Sequence, residues 1–356
     1  MKKKLGLVYG GKSAEHEVSL STARAVTQAV DFDKYEVVPI YITYDGEWRK
    51  GESLESSAKT IEELRLEGDG SSQPDSIHDF LNGGTGAPDV IFPLLHGTNG
   101  EDGTVQGLFE VMNVPYVGNG VLASSAGMDK VVMKQLFAQV GLKQVPYVHF
   151  IRTGWVKEQQ QLVDKMETEL GWPMFVKPAN LGSSVGISMA TDRKGLIEAV
   201  DIALKFDRKI IVEQGVTARE IEMGVMGNDE PLCSVSGEIK PVAAFYDYEA
   251  KYTDGNTTLA IPAQVTEEVK KTMEDMAVRA FKVLDCSGLV RADFFVTADD
   301  EVLINEVNTM PGFTPTSMFP LLWQKTGVAY PELINGLIEL ALERHAEKQT
   351  LQYTMD

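Results

Sequence analysis

Two short apolar segments late in the chain carry two carboxylates, an amide and a guanidinium at regular spacing. The segments, Leu289–Thr297 and Val302–Val307, are rich in β-branched and aromatic residues and flank a polar turn. This pattern predicts a β-hairpin, because apolar strands around a short polar turn pair with each other. If the chain reverses at Asp299 and Asp300, the polar residues of both strands lie at the end of the hairpin away from the turn.

The predicted pairing brings four polar side chains to one face of the hairpin. Asp293 then lies opposite Glu306. Arg291 lies opposite Asn308, and residues two apart share a face because side chains alternate across a strand. Directly opposed Cβ atoms are about 5 Å apart, so the oxygen atoms converge in a way that suits Mg²⁺, and the arginine suits a phosphate or a developing oxyanion. The alternative is a solvated polar face on an edge hairpin, since structural ion pairs cluster in the same way.

The overall composition is typical of an ordinary soluble enzyme. The chain has 356 residues, a length that predicts two to three domains. Of these residues 43% are apolar and 24% are charged. Its net charge of −19 disfavours a nucleic acid or an anionic membrane as partner. The two cysteines, Cys233 and Cys286, are far apart, which favours a reducing cytoplasm over a disulfide framework. The sequence contains no run of about 18 apolar residues, so we expect no transmembrane helix.

The first part of the chain alternates strands and helices. A strand at Lys4–Tyr9, a glycine-rich turn, a helix and a second strand at Tyr35–Thr43 predict an open parallel sheet of the Rossmann-like kind. The turn lacks the G-x-G-x-x-G fingerprint, and Glu15 beside the helix N-terminus would repel a pyrophosphate. Glu15 suits a substrate ammonium instead, or it simply interacts favourably with the helix dipole.

The first part of the chain also contains a long polar segment and a glycine-rich loop after a strand. Tyr44–Pro88 is polar and weakly periodic, so we expect a variable and mobile surface excursion. His96 follows the strand Asp89–Leu95 and begins a glycine-rich loop, at the end of the sheet where open α/β folds bind ligands. It either braces that loop through a hydrogen bond or contacts a ligand.

A lysine and a glycine-rich loop in the middle of the chain suit phosphate binding. Lys177 lies on an otherwise apolar strand, where an ammonium is costly unless it meets an anion. The loop Gly182–Gly186 follows between two strands and does not continue into a helix, so it is not a Walker A loop. Its free backbone N–H groups could close over phosphate oxygens as a lid. The alternative is a lysine that extends to solvent beside an ordinary turn.

Together these segments resemble the ATP-grasp fold and, within it, the D-alanine–D-alanine ligase family. The matching segments occur in family order along the whole chain: Gly10–Ser19, His96-Gly97 with Gly100–Gly103, Lys177-Pro178 with Gly182–Gly186, Tyr246–Tyr252, and Arg291–Asp293 with Asn305–Gly312. The resemblance implies an α/β, ATP-grasp fold with an N-terminal open parallel domain in residues 1–125. It places a central subdomain with the lid in residues 126–215 and a C-terminal subdomain with the metal and substrate site in residues 216–356.

The resemblance also implies the reaction and its setting. ATP would phosphorylate the carboxylate of one D-alanine, and the amine of a second would attack the resulting acyl phosphate, giving D-alanyl-D-alanine for bacterial peptidoglycan. The enzyme would be a cytoplasmic homodimer that uses ATP and two Mg²⁺ ions, with Mn²⁺ as a possible substitute. The implied metal ligands are Asp293, Glu306 and Asn308. The implied nucleotide contacts are Lys130, Lys177, Ser183, Ser184, Glu213, Val216 and Glu220.

The remaining implied roles concern the two amino acids. The first D-alanine would be held by Glu15 and His96. Arg291 and the backbone N–H of Gly312 would stabilise the tetrahedral oxyanion. The hydrogen-bonded set that closes the site would join Glu15 to Ser183 and Tyr252. The carboxylate of the second D-alanine would be held by Lys251 and Ser317.

Three other functions compete with this one. Another ATP-grasp ligase, of the D-Ala-D-Ser or D-Ala-D-lactate type, is the nearest, and the motifs around Glu15 and Tyr252 argue against it. A nucleotide-binding module without catalysis is disfavoured by the intact metal set and Arg291. A dinucleotide oxidoreductase is disfavoured by the missing glycine fingerprint.

Overall fold

Three β-sheets carry the polar segments in the described part of the chain. The computed structural model describes residues 2–68, 70–81, 87–182, 184–241, 257–352 and 354–355. Within these residues no helix is long and apolar enough to cross a membrane. Strands and helices are numbered below in chain order.

The first sheet contains the predicted parallel strands. It has the order β3-β2-β1-β4 and consists of β1 (Lys3–Gly10), β2 (Tyr35–Ile42), β3 (Trp48–Lys50) and β4 (Val90–Pro93). Strand β1 pairs in parallel with both β2 and β4, and helix α1 (His16–Thr27) connects β1 to β2. The predicted parallel opening is therefore confirmed. Residues 5–10, 37–42 and 90–93 of its parallel strands are all buried, because both faces of the sheet are covered there.

The polar segment after β2 contains short elements of its own and one buried anchor. Besides β3 it forms a 3₁₀-helix at Glu62–Leu64 and helix α2 (Gln73–Leu81). Leu64 is buried in the same core as Tyr9, whose hydroxyl donates to the Leu64 carbonyl oxygen at 2.9 Å. Most of the other described residues of this segment lie on the surface, as predicted, and its mobility stays a prediction.

Three helices lead from the first sheet to the second. They are α3 (Thr104–Val111), α4 (Val121–Met128) and α5 (Lys130–Gln139). The side chain of Asp129 caps the N-terminus of helix α5, since it accepts hydrogen bonds from the backbone N–H groups of Val131 and Val132. Helix α4 occupies the stretch where the sequence predicts only the end of a domain.

The second sheet is antiparallel and has the order β5-β8-β6-β7. Its strands are β5 (Tyr147–Ile151), β6 (Met174–Pro178), β7 (Ser188–Ala190) and β8 (Lys209–Gln214). Helices α6 (Arg152–Leu170) and α7 (Arg193–Ala203) pack their apolar side chains on it to form a separate core. Lys177 lies on β6, directly beside β8.

The third sheet is also antiparallel and has the order β11-β10-β9-β12-β13. Its strands are β9 (Ala218–Gly227), β10 (Leu232–Pro241), β11 (Thr257–Ala260), β12 (Gly288–Thr297) and β13 (Val302–Asn308). Helix α8 (Glu267–Val283) covers one face, and the side chain of Thr266 caps its N-terminus by accepting a hydrogen bond from the backbone N–H of Val269. The boundaries near residues 125 and 215 remain predictions.

The hairpin β12–β13 has the predicted register where the polar residues lie. Arg291 pairs with Asn308, and Asp293 pairs with Glu306. Nearer the turn the prediction is wrong by one residue, since Val296 pairs with Val302. A β-bulge between the two regions restores the predicted pairing. This bulge is what brings Glu306 opposite Asp293.

The last two helices share a core with the first sheet. Helices α9 (Met318–Thr326) and α10 (Tyr330–Lys348) bury residues such as Phe319 and Leu337 against the side chains of β1 and β4. Helix α9 is absent from the sequence prediction. The chain therefore returns to its starting sheet after forming the hairpin, which fixes the third sheet relative to the first.

Candidate active site

A cleft between the second and third sheets collects most of the predicted nucleotide and metal residues. Its lining includes the following predicted side chains: Lys130, Lys177, Ser184, Glu213, Val216, Glu220, Arg291, Asp293, Glu306 and Asn308. Strands β6 and β8 form one wall, and β9, β12 and β13 form the other. The sequence places these residues on segments far apart, and the fold brings them together.

Arg291 is the cationic centre of the hairpin wall. Its Nε and one terminal nitrogen each donate to Asp293 at 2.7 Å, and Nε also lies 2.9 Å from Glu222 Oε2. Asn308 Nδ2 donates to Asp293 at 2.8 Å. Burial lowers the pKa of Arg291, but Asp293 and Glu222 outweigh burial and raise the pKa above its usual value. The guanidinium is therefore held as a permanent cation between two carboxylates.

Lys130 joins the hairpin to the glycine-rich loop. Its Nζ lies 3.3 Å from Glu306 Oε2 and donates to the carbonyl oxygen of Leu181 at 3.1 Å. Leu181 directly precedes the Gly182–Gly186 loop. One ammonium therefore contacts both a predicted metal ligand and the base of the predicted lid.

The opposite wall contains a buried triad of two lysines and one glutamate. Lys177 Nζ donates to Glu213 Oε2 at 2.6 Å, and Lys134 Nζ lies 3.1 Å from Glu213 Oε1. Glu213 is 2% exposed and Lys134 is 1% exposed. Burial raises the pKa of Glu213, but the two ammonium groups outweigh burial and lower it to about 2. The anion that Lys177 requires is thus the Glu213 carboxylate, so Lys177 does not extend to solvent.

The predicted first-substrate residues lie at the edge of this cleft. Glu15 is the N-cap residue of α1, yet its side chain makes no capping hydrogen bond. A Cβ atom placed on Gly97 would lie 3.0 Å from Glu15 Oε2, and one placed on Gly182 would lie 3.6 Å from it. This carboxylate oxygen therefore faces both glycine-rich loops. Its side chain thus points between the two loops, and its contact with a ligand stays a prediction.

His96 is buried at the start of the loop after β4. Its Nδ1 donates to the carbonyl oxygen of Met310 at 3.3 Å, so it braces the loop against the segment after β13. It also lines a neighbouring cavity formed by the Gly10–Ser13 turn and the segment after β2. The structure therefore shows the bracing hydrogen bond, and a ligand contact stays a prediction.

Gly312 and Ser317 lie together in the loop after β13. A Cβ at Gly312 would lie 3.2 Å from Ser317 Oγ, and Ser317 Oγ accepts a hydrogen bond from the backbone N–H of Thr314 at 3.2 Å. Neither residue lines the cleft that holds Arg291. Ser183, Lys251 and Tyr252 lie outside the described residues.

Two family models match the chain over most of its length. The models described as D-ala D-ala ligase N-terminus and D-ala D-ala ligase C-terminus match residues 4–119 and 136–339. The chain belongs to the D-alanine–D-alanine ligase family. The predicted family is therefore confirmed.

Individual relatives support this membership. A D-alanine–D-alanine ligase from Bacillus licheniformis is 59% identical over 360 residues, which cover 99% of this chain and 100% of the relative. The structure of the D-alanine–D-alanine ligase from Coxiella burnetii is 33% identical, with a TM-score of 0.80, and covers 98% of this chain and 96% of that one. A D-Ala:D-Ser ligase from Enterococcus faecalis is 31% identical, with a TM-score of 0.79 over 96% of this chain and 100% of that one.

These comparisons confirm the ATP-grasp fold of the D-alanine–D-alanine ligase family for this chain. Structures of a D-Ala-D-Ala and a D-Ala-D-Ser ligase superpose on it equally well, so the fold does not choose between these two specificities.

Sequence reasoning missed two charged residues of the cleft. Lys134 follows Lys130 by one helical turn on the same face of α5, so helical spacing could have identified it. Glu222 follows Glu220 by two residues on β9 and shares its face, so strand alternation could have identified it. Its position beside Asp293 depends on the pairing of β9 with β12, which no local pattern reveals.

Proposed function

We propose that this chain joins two D-alanine molecules into D-alanyl-D-alanine, with ATP converted to ADP and phosphate through a D-alanyl phosphate. The hairpin register carries this proposal, because it sets Arg291, Asp293 and Glu306 across the cleft from Lys177. The carboxylates of the hairpin, with Lys130 and Lys177 in the same cleft, are what a metal–nucleotide complex requires. Family membership supplies the substrates.

The first step requires alignment and charge neutralisation more than covalent help from the protein. Lys130 and Lys177 face the cleft and would take phosphate oxygens in exchange for their present carboxylate partners. The lid Gly182–Gly186 would close over the phosphates and exclude the water that otherwise hydrolyses an acyl phosphate. Contacts to the base and ribose would come from Glu213, Val216 and Glu220, with Ser183 and Ser184 at the lid.

The hairpin residues fit a hard divalent cation by their donor chemistry. Asp293, Glu306 and Asn308 offer oxygen atoms from adjacent strands, which suits Mg²⁺ and also Mn²⁺. Within the described residues no three His, Cys, Asp or Glu side chains form a metal cluster, so the set depends on the amide of Asn308. Two Mg²⁺ ions would neutralise phosphate charge when bound, and a cation at Asp293 would compete with Arg291 for the same oxygen atoms.

The second step requires a free amine and a stabilised oxyanion. Glu15 would hold the ammonium of the first D-alanine, with His96 bracing the loop beside it. Arg291 and the backbone N–H of Gly312 would stabilise the oxyanion that forms when the second amine attacks. The carboxylate of the second D-alanine would bind Lys251 and Ser317, while Ser183 and Tyr252 would close the site around Glu15.

We further propose that the enzyme acts in the cytoplasm, for peptidoglycan synthesis, as a homodimer. Both cysteines are free thiols, which suits a reducing compartment. Val111 and Leu122 on the adjacent helices α3 and α4 are 86% and 63% exposed, and a second copy would cover such an apolar surface. Residues 1–125, 126–215 and 216–356 would form its three units.

Phosphate release from Mg²⁺-ATP tests the reaction, with D-alanine, L-alanine, D-serine and D-lactate added in turn. We expect D-alanine alone to stimulate release strongly and the isolated product to be D-alanyl-D-alanine. When D-serine or D-lactate is added together with D-alanine, little D-alanyl-D-serine or D-alanyl-D-lactate should form at neutral pH. Mixed product equal to the dipeptide would support the alternative ligase type, and stimulation by L-alanine would refute the proposal.

A further inference from the structure

Three carboxylates form one row across three neighbouring strands. Asp293 on β12 pairs with Glu306 on β13 on one side and with Glu222 on β9 on the other. Paired residues of adjacent strands point to the same face, so all three face the cleft. Asp293 and Glu306 are the proposed metal ligands. Glu222 is 6% exposed and has no role in the reaction as proposed above.

Glu222 contacts the same guanidinium as Asp293. Its Oε2 lies 2.9 Å from Arg291 Nε, while Asp293 accepts from Nε and a terminal nitrogen at 2.7 Å each. Arg291 therefore has carboxylates on two sides. A cation at Asp293 would take the oxygen atoms that now bind Arg291. Glu222 would then be the adjacent carboxylate that still holds the guanidinium in the cleft.

We propose that Glu222 is a positioning residue for Arg291, which keeps the guanidinium aimed at the reacting carbonyl while Asp293 binds metal. This inference rests on the proposed function. If Asp293 bound metal and Glu222 were absent, the buried guanidinium would have no carboxylate partner. It would turn toward water or displace the metal from Asp293, because an uncompensated buried charge is costly. Without Glu222, Arg291 and the cation would compete directly for Asp293. Glu222 thus serves both the oxyanion contact and the metal site.

The sheet supplies a matched control on its other face. Glu238 on β10 is 7% exposed and binds Arg219 through two hydrogen bonds at 2.8 and 2.9 Å. It pairs with Ile221, whose side chain packs in the core of the third sheet on the side away from Glu222. Glu238→Gln therefore removes the charge of a buried glutamate that pairs with a partly exposed arginine, Arg219, instead of with Arg291.

The kinetic test is a double-mutant cycle. We expect Glu222→Gln to lower kcat by about 10- to 100-fold, the range for a lost charge-assisted contact, with the KM for ATP changed by less than about threefold. In the Arg291→Ala background the same substitution should change kcat by less than about twofold. Glu222→Asp, which keeps the charge, should recover part of the activity. Glu238→Gln should stay within about twofold of the original protein.

A binding measurement separates this inference from the proposed reaction. Mn²⁺ binding to the full chain with ADP, followed by electron paramagnetic resonance, should weaken about 10-fold or more in Glu222→Gln, because Arg291 then competes more strongly for Asp293. A kcat within about threefold of the original protein, or an equal loss in the Arg291→Ala background, would overturn the inference. If Glu222→Gln does not fold, Glu222→Asp decides, and unchanged kcat together with unchanged Mn²⁺ binding overturns it. Absence of any D-alanine-dependent phosphate release in the original protein would instead refute the proposed function.

Discussion

The buried Lys134–Glu213–Lys177 triad gives a prediction that can be tested without substrate. Glu213→Gln keeps the shape of the side chain and removes its charge. The two ammonium groups, both in the interior of the cleft wall, then lose the carboxylate that they share at 3.1 and 2.6 Å. We expect a clear loss of stability, because the lysines remain buried while their counter-charge is removed.

The size of this loss follows from the titration of Glu213. Its pKa falls from 4.5 to about 2 in the folded protein, a difference that corresponds to about 3 kcal/mol. Removal of one partner from a buried ion pair costs about 3–5 kcal/mol in general, which agrees. Because the folded-state pKa is the lower one, the stabilisation is complete above the unfolded-state value and is lost as the pH falls toward 2. The difference between original protein and variant should therefore shrink by about 2 kcal/mol between pH 7 and pH 3.

Urea unfolding at several pH values measures this difference. Trp155 packs in the core of the second sheet, with its ring 5.1 Å from that of Phe150, so its fluorescence reports on the part that contains Glu213. Glu301→Gln is the control, since its ion pair with Lys143 is largely exposed and such pairs contribute about 0–1 kcal/mol. A loss below about 1 kcal/mol at pH 7 for Glu213→Gln, or a loss that does not change with pH, would refute the reasoning.

Three further predictions concern the reaction. Lys130→Met should weaken ATP binding by about 10-fold or more, measured by calorimetry, because a charge-assisted contact is worth about 1.5–3 kcal/mol; unchanged affinity would exclude a phosphate contact. Asp293→Asn or Glu306→Gln should abolish turnover while circular dichroism stays the same, and retained activity in either would refute the metal assignment. D-alanine transfer should rise with pH as the ammonium of the second D-alanine deprotonates, and a pH-independent rate of dipeptide formation would contradict attack by the free amine.

Local patterns were sufficient for the polar end of the hairpin and for the parallel strands that open the first sheet. Strand alternation around a short turn predicts that Asp293 lies opposite Glu306, and the structure has this pair. The prediction is wrong near the turn, where Val296 pairs one residue earlier, because a bulge inserts one residue without a clear local signal. Near the turn the predicted register is wrong by one residue. The bulge shifts the register by one residue, so the predicted pairs Asp293–Glu306 and Arg291–Asn308 are nevertheless correct.

Long-range packing accounts for what the sequence did not reveal. Glu222 reaches Asp293 only because β9 pairs with β12, and these strands are far apart in the chain. The complete burial of Lys134 depends on contacts with Glu213 on β8 and with the carbonyl oxygen of Asn305 on β13. Leu64 lies in a polar segment but completes the core beneath Tyr9. Each of these features depends on which elements meet, which periodicity within one element does not encode.

The ion pairs of the cleft link nucleotide binding to metal binding. In the described structure four cleft carboxylates contact cations: Glu213 with Lys134 and Lys177, Glu306 with Lys130, and Asp293 and Glu222 with Arg291. Phosphates that bind the lysines would leave carboxylates without a counter-charge, and a metal that binds the carboxylates would leave cations without one. Either change alone is costly in a buried site. When metal and nucleotide bind together, the lysine–carboxylate pairs are replaced by lysine–phosphate and metal–carboxylate pairs. This arrangement therefore favours the metal–nucleotide complex over either ligand alone.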